Sequence, residues 1–346
     1  MTKSTRVFSR VSPATPTKVF DSYWYLAAER QAIFFSRIRG ESPDNWTSDP
    51  IIKKYKFTNS YRASDRVSQY LIRNVIYKGD QEPAEVFFRT ILFKLFNRVE
   101  TWELLERELG TLNYSEYSFE RYDQVLGKAR TQGARIYSAA YIMPSGNQIF
   151  GHREKHRNHL KLLERMMEDE VGPRISDAKS MKQAFEILLS YPLIGNFLAY
   201  QYVTDLNYSM LTNFSETEFV LPGPGASEGL RKCFSSLGGL NEANMIHRVM
   251  DSQDKEFAER GLDFKTLWGR PLQLIDCQNL FCEVNKYARV AHPEFAIGNA
   301  RTRIKQHYRR NDKSINYWYP PKWHINDAVE ESLAQQPGNK TLISEA

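Results

Sequence analysis

Asp276, Asn279, Glu283 and Lys286 are the residues of this chain whose types and spacing best suit chemistry. They fall at i, i+3, i+7 and i+10, so a helix through them carries all four in one polar stripe. Leu280, Phe281 and Val284 would fill its other sides. An apolar surround shifts pKa values and so suits such a stripe to catalysis. Asp276 opens the helix, where the backbone dipole favours a carboxylate. The stripe can take a proton from a nucleophile, steady a developing positive charge or hold a polar substrate. The spacing is equally explained by Asp276 as a helix cap, with Glu283 paired to Lys286 or Tyr287.

Upstream, residues 221–229 read Leu-Pro-Gly-Pro-Gly-Ala-Ser-Glu-Gly. Two glycines two apart let a chain turn tightly and bring its amides close to a ligand. Where such a turn opens a helix, amides and dipole together favour a phosphate. The expected phosphate-gripping set is Gly223, Gly225, Ala226, Ser227, Arg231 and Lys232. An ordinary helix-entry loop would look the same.

A third group interleaves polar and aromatic residues: Arg30, Gln31, Asn59, Tyr61 and Arg62, with Gln201 and Asp205 further on. Tyr can stack on a base while Arg, Asn and Gln bond base edges or phosphates. Together they are the expected lining of a base pocket, although capping and core packing account for many such residues. His152, His156 and His159 share one helical face, but Arg153, Lys155, Arg157 and Lys161 surround them. That charge opposes a cation, so a solvated or phosphate-facing surface is expected there, with no metal. The chain has no Gly-x4-Gly-Lys-Ser/Thr loop and no dinucleotide fingerprint, which speaks against an autonomous kinase or NAD enzyme and calls for no cofactor.

The elements that must position these groups read as mainly α. Helical periodicity covers 20–39, 61–77, 85–97, 101–109, 118–133 and 146–171. It resumes over 176–191, 193–206 and 242–260, and again from Asp276. Residues 136–142 and 218–221 are possible short strands. Residues 1–17 read as a flexible start, 18–327 as one two-lobed helical body around a cleft, and 328–346 as a polar tail.

With 41% hydrophobic and 25% charged residues the chain is ordinary for a globular protein, and a net charge of +6 permits a polyanionic partner. Three cysteines, Cys233, Cys277 and Cys282, exclude a four-cysteine cluster and fit a reducing, cytoplasmic setting. No apolar run is long enough to span a bilayer, so no membrane partner is expected, and the chain is read as a monomer.

Several blocks together resemble the α-glutamyl/putrescinyl thymine pyrophosphorylase family, which overlaps the helical domain found with 5-hydroxymethyluracil DNA kinases. They are Tyr23-Trp24 with Glu29-Arg30-Gln31, residues 46–50 and 57–62, Phe93 to Asn97 with Thr101-Trp102, residues 197–201 and 205–208, Gly223-Pro224-Gly225, and Asp276 to Tyr287. The family is similar to helix-hairpin-helix DNA glycosylases and acts on modified bases in DNA, largely in phage biology. The resemblance implies double-stranded DNA with modified bases as partner, and an everted base held in the pocket.

The leading expectation is therefore a DNA glycosylase for a hypermodified pyrimidine, such as glucosylated 5-hydroxymethylcytosine, serving anti-phage defence. Asp276 would stabilise the sugar cation or activate water, with Asn279, Glu283 and Lys286 positioning. The alternative is a transferase that adds an amino acid or polyamine to activated 5-hydroxymethyluracil, with Glu283 or Asp276 deprotonating the amine. A non-catalytic DNA-binding module is the third reading. One departure stands out: fifty-one positions separate Gly225 from Asp276. This is far more than in ordinary helix-hairpin-helix glycosylases, so an inserted helix must lie between.

Overall fold

The structure, a computed structural model, describes residues 12–296, 303–311 and 315–334. It is mainly helical, and the chain divides into two compact units: Met1–Ser60 with Pro222–Asn311, and Tyr61–Leu221 with Asp312–Ala346. The sheet among the described residues is one antiparallel pair, Thr15–Pro16 against Phe234–Ser236. The strands expected at 136–142 and 218–221 do not form. In the first of these, backbone groups bond elsewhere: Ser138 N–H donates to Phe96 O at 2.9 Å, and Ile136 O accepts from Thr101 Oγ1 at 2.8 Å. The segment thus satisfies a carbonyl at a helix end instead of pairing as a strand.

In the first unit the central helices are Lys18–Ile38, Pro224–Cys233 and Leu274–Ala291. Thr17 caps the first, accepting from Val19 N–H at 3.2 Å while its hydroxyl donates to Lys232 O at 2.6 Å. Tyr23 and Trp24 are fully buried on its inner face. The Tyr23 ring lies 4.5 Å from Phe281, and Trp24 packs edge-on against Phe257 at 4.8 Å. Burying each large side chain contributes about 2 to 3 kcal/mol. The span 242–260 is two helices, Glu242–Asp251 and Gln253–Glu259, broken at Ser252. These two are the elements inserted between the glycine segment and the Asp276 helix.

The second unit is organised on the helix Pro83–Phe96, buried continuously from Val86 to Phe96. Proline at its first turn fits, because that amide has no intrahelical acceptor. Asn97 ends it in the left-handed region at φ 48°. The stretch expected as one helix over 146–171 is broken into Asn147–Phe150 and Lys155–Glu168. Gly151 turns left-handed at φ 78° between them. Asn158 braces the break, donating to Ser145 O and His152 O, both at 2.8 Å, and accepting from His152 N–H at 3.1 Å. The helix Asn196–Leu206 carries Gln201 and Asp205, both buried. Residues 326–334, partly assigned above to the polar tail, form the helix Asn326–Ala334; of the expected flexible start 1–17, residues 1–11 lie outside the described residues, whereas Thr15–Pro16 pair as a strand and Thr17 caps the first helix.

Candidate active site

The glycine segment serves a different purpose from the expected tight turn. Gly223 is extended (φ −76°, ψ 169°) and precedes the helix Pro224–Cys233, so no left-handed residue is required. Gly225 and Gly229 lie one helical turn apart, on the face turned to the helix Leu274–Ala291. A Cβ at Gly225 would meet Cys282 Sγ at 3.1 Å, and one at Gly229 would meet the Phe281 carbonyl oxygen at 2.0 Å. Glycine at these positions permits two backbones to approach where any side chain would collide.

Of the expected phosphate ligands, Ser227 and Lys232 are engaged within the protein. Ala226 is fully buried, and Ser227 donates to Glu242 Oε2 at 2.5 Å. Lys232 does not reach solvent as a cationic anchor should: it is 2% exposed, and its ammonium lies 3.4 Å from Asn285 O and 3.9 Å from Glu228 Oε1. Burial lowers its pKa, ahead of the opposing effect of Glu228. Arg231 is exposed.

The acidic stripe does form on one helix, with its members in different roles. Asp276 is 4% exposed, and its Oδ2 accepts from Gln273 N–H at 3.0 Å, closing a capping box at the start of Leu274–Ala291. Asn279 is half-buried two turns from Lys286. Glu283 and Lys286 pair at 2.7 Å, and Glu283 Oε2 also accepts from Thr58 N–H at 3.0 Å. The Lys286 ammonium lies 4.7 Å from the centre of the Phe57 ring.

The same segment meets Arg30, whose guanidinium donates to Thr58 O at 2.9 Å and to Asn59 Oδ1 at 3.0 Å. Residues 57–59 are thus held between Arg30 on one helix and Glu283 with Lys286 on another. Gln31 is not part of this group: it is buried and donates to Lys265 O at 2.9 Å. Nearby, the Tyr287 hydroxyl donates to Asp49 Oδ2 at 2.8 Å, which raises the Tyr287 pKa through burial first and this bond second.

In the second unit, Arg62, Gln201 and Asp205 come together. Arg62 Nη1 donates to Asp205 Oδ1 at 2.7 Å and Tyr208 Oη at 3.0 Å, and its Nε donates to Gln201 Oε1 at 3.2 Å. Lys94 Nζ completes the cluster 3.0 Å from Asp205 Oδ2 and 2.8 Å from Asn97 Oδ1. All four of Arg62, Lys94, Gln201 and Asp205 are 3% exposed or less. Burial alone would raise the Asp205 carboxyl, but Arg62 and then Lys94 hold it below its ordinary value.

Tyr141, in the left-handed region at φ 56°, places its ring 4.3 Å from the Lys94 ammonium and its hydroxyl 3.3 Å from Gln201 Oε1. Tyr61 is buried in the same unit, at 1% exposure. Sequence reasoning missed Lys94, Tyr141 and Tyr208 here. Lys94 carried a signal: a cation inside the otherwise apolar run 86–96 must find a buried partner.

The histidine face differs from the solvated surface expected. His156 and His159 are buried. His159 Nε2 lies 2.8 Å from Pro144 O, which only accepts, so Nε2 carries the proton and Nδ1 accepts from the Tyr137 hydroxyl at 2.9 Å. His156 likewise donates to Asp123 Oδ1 at 2.9 Å. Burial lowers the pKa of His159 to about 4. Among the described residues no group of three or more His, Cys, Asp and Glu side chains is arranged to hold a metal, and no helix is long and apolar enough to cross a membrane.

The class defined by these features is a mainly helical protein with a buried ionic cluster and a partly exposed acid–lysine pair. Residues 17–297 match the family described as "5-hmdU DNA kinase, helical domain", and the chain belongs to that family. It is 26% identical over 295 residues to a "5-hmdU DNA kinase" of Bacillus phage SP10, a match covering 80% of this chain and 46% of the relative. The chain therefore spans about half the length of the curated relative it matches. No solved structure matches, so the expected helix-hairpin-helix glycosylase architecture gains no support. The expectation of a glycosylase is overturned: the family and the relative are named for a DNA kinase, which is a transferase and not a hydrolase of glycosidic bonds.

Proposed function

We propose that this chain takes part in hypermodifying DNA that carries 5-hydroxymethyluracil, as the helical part of a group-transferring system. The match of residues 17–297 to the helical domain of a 5-hmdU DNA kinase family carries this reading. The chemistry requires DNA to be engaged, a modified base to be presented outside the stack, and a proton to leave the attacking nucleophile as the new bond forms.

Glu283 is the proposed proton acceptor. Its Oε2 is committed to Thr58 and Lys286, while its Oε1 has no hydrogen-bond partner among the described residues. Lys286, 2.7 Å from that carboxylate, would hold it in place and stabilise charge as it develops. Asp276, engaged in the capping box, would serve by holding that helix in place. Arg30 and Asn59 would position the segment that faces Glu283.

In the transferase reading, an amine attacks the activated 5-methylene carbon, the C–N bond forms as the C–O bond breaks, phosphate or pyrophosphate leaves as the anion, and Glu283 takes the amine proton. A kinase reading is favoured by the name of the phage relative. There the hydroxymethyl oxygen attacks the terminal phosphorus of a nucleoside triphosphate, the new P–O bond forms as the bond to the departing nucleoside diphosphate breaks, and Glu283 takes the hydroxyl proton; this chain's own sequence has no P-loop for the triphosphate.

The two are separated by digesting treated DNA to nucleosides and weighing them. DNA containing 5-hydroxymethyluracil is incubated with the protein and magnesium ATP, or is first phosphorylated and then given glutamate or putrescine. A nucleoside heavier by one phosphate supports the kinase reading, and one heavier by the amine supports the transferase. Unchanged nucleosides in both arms would defeat the proposal.

A further inference from the structure

We infer that a basic two-strip surface of the first unit, built from residues 53–56 and 303–311, binds the phosphodiester backbone of DNA. The inference rests on the reading above that DNA is the partner. It adds a surface that includes residues beyond 297, where the family match ends.

The strips are joined by backbone pairing. Tyr55 and His307 form an isolated antiparallel bridge. Lys56 N–H donates to Gln306 O at 3.0 Å and Tyr308 N–H to Lys54 O at 3.1 Å. Buried Ile304 anchors the second strip to the body. Around this bridge Lys53, Lys54, Lys56, Arg303, Lys305, Arg309 and Arg310 are all exposed.

Neither 50–56 nor 303–311 contains an Asp or Glu. Lys53, Lys54, Lys56, Arg303, Lys305 and Arg309 make no ion pair among the described residues, whereas Lys78, Lys161, Lys182 and Lys255 each lie within 3.9 Å of a glutamate. The chain's whole net charge is +6, so these seven cations account for its basic character and the remainder is close to neutral.

Lysine on an edge strand is a common guard against unwanted pairing, and here the cations lie on both strips of the bridge. Seven like charges on a bridge this short repel one another, and a polyanion relieves the repulsion by displacing its own condensed counterions. Tyr308 is 42% exposed, and the Tyr55 and His307 rings lie 5.2 Å apart at the same place. Aromatic groups beside cations also suit an unpaired base.

The test is fluorescence anisotropy of the full chain with a labelled, unmodified duplex and the matching single strand across a salt series. Lys53→Gln/Lys54→Gln/Lys56→Gln and Arg303→Gln/Lys305→Gln/Arg309→Gln should each weaken binding about tenfold or more at ~0.1 M salt, and should flatten the slope of log Kd against log salt by about two to three. The comparison variant Lys128→Gln/Lys179→Gln/Lys182→Gln, which removes three exposed lysines of the second unit, should bind as the parent does. Circular dichroism checks that each variant is folded. Tyr308→Ala should weaken the single strand more than the duplex.

Strip variants with parental affinity and slope, or a comparison variant that loses as much, would overturn the inference. Because the probe carries no modified base, DNA binding without any heavier nucleoside would sink the proposed chemistry and leave this surface standing.

Discussion

Gly229 packs against the backbone of Phe281 so closely that a Cβ added to it would fall 2.0 Å from the Phe281 carbonyl oxygen. The helices Pro224–Cys233 and Leu274–Ala291 owe their separation to that absence of a side chain. The contact joins the glycine segment to the acidic stripe through packing. Asn285 extends it, donating to Gly225 O at 3.3 Å and Glu228 Oε2 at 3.0 Å.

Gly229→Ala should destabilise the fold by about 1 to 3 kcal/mol, because backbone and not a mobile side chain must give way. Gly225→Ala, whose new Cβ would meet Cys282 Sγ at 3.1 Å, should cost less. Urea melts of the two variants check the order; a Gly229→Ala protein as stable as the parent contradicts the packing account.

Asp205→Asn should be among the most damaging single changes. It would leave Arg62 and Lys94 buried without their shared carboxylate, at a cost of about 3 to 5 kcal/mol. Since the folded state holds Asp205 below its ordinary pKa, its contribution is present above the ordinary carboxylate range and is lost as pH falls through the folded value. The variant should therefore show a flatter fall in stability under acid than the parent, measured by denaturant midpoints from pH 7 downward.

His159 makes a separate contribution to acid sensitivity. Its folded pKa is lowered from 6.5 to about 4, so the unfolded chain takes up a proton that the fold refuses. Stability is complete above about pH 6.5 and falls as pH drops toward 4, by about 3 kcal/mol in all. His159→Gln should remove most of this slope; an unchanged slope would mean the imidazole is already charged in the fold.

Glu283→Gln should lower transfer to modified DNA by about a hundredfold or more, while the melting temperature stays near the parent's, because an amide oxygen can still accept from Thr58 N–H. Asp276→Asn should show the reverse balance, with loss of stability ahead of loss of turnover, since its carboxylate closes a capping box. Nucleoside mass spectrometry and thermal melts on the same preparations distinguish them; equal activity of Glu283→Gln and parent would remove Glu283 from the proposed role.

Periodicity and composition were enough to show a mainly helical chain, the helix that begins near Asp276, and the stripe along it, because a 3.6-residue repeat is a local property. The same local rule failed at 146–171 and 242–260, where a left-handed Gly151 and the turn at Ser252 interrupt an unbroken pattern. Residue types also marked Arg62, Gln201 and Asp205 as a group, though as pocket lining and not as a buried ionic cluster completed by Lys94.

What the linear chain could not reveal was which atoms are already engaged. A glycine suited to grip a phosphate and a glycine suited to let two helices touch are the same residue in sequence. Only tertiary packing shows that Gly225 and Gly229 face the helix Leu274–Ala291, with Gly229 against Phe281. Likewise Lys53 to Lys56 and Arg303 to Arg310 are ordinary basic runs until the Tyr55–His307 bridge brings some 250 residues of separation to a single surface. Packing and long-range pairing are set by tertiary contacts, and charge and burial take their meaning from those contacts.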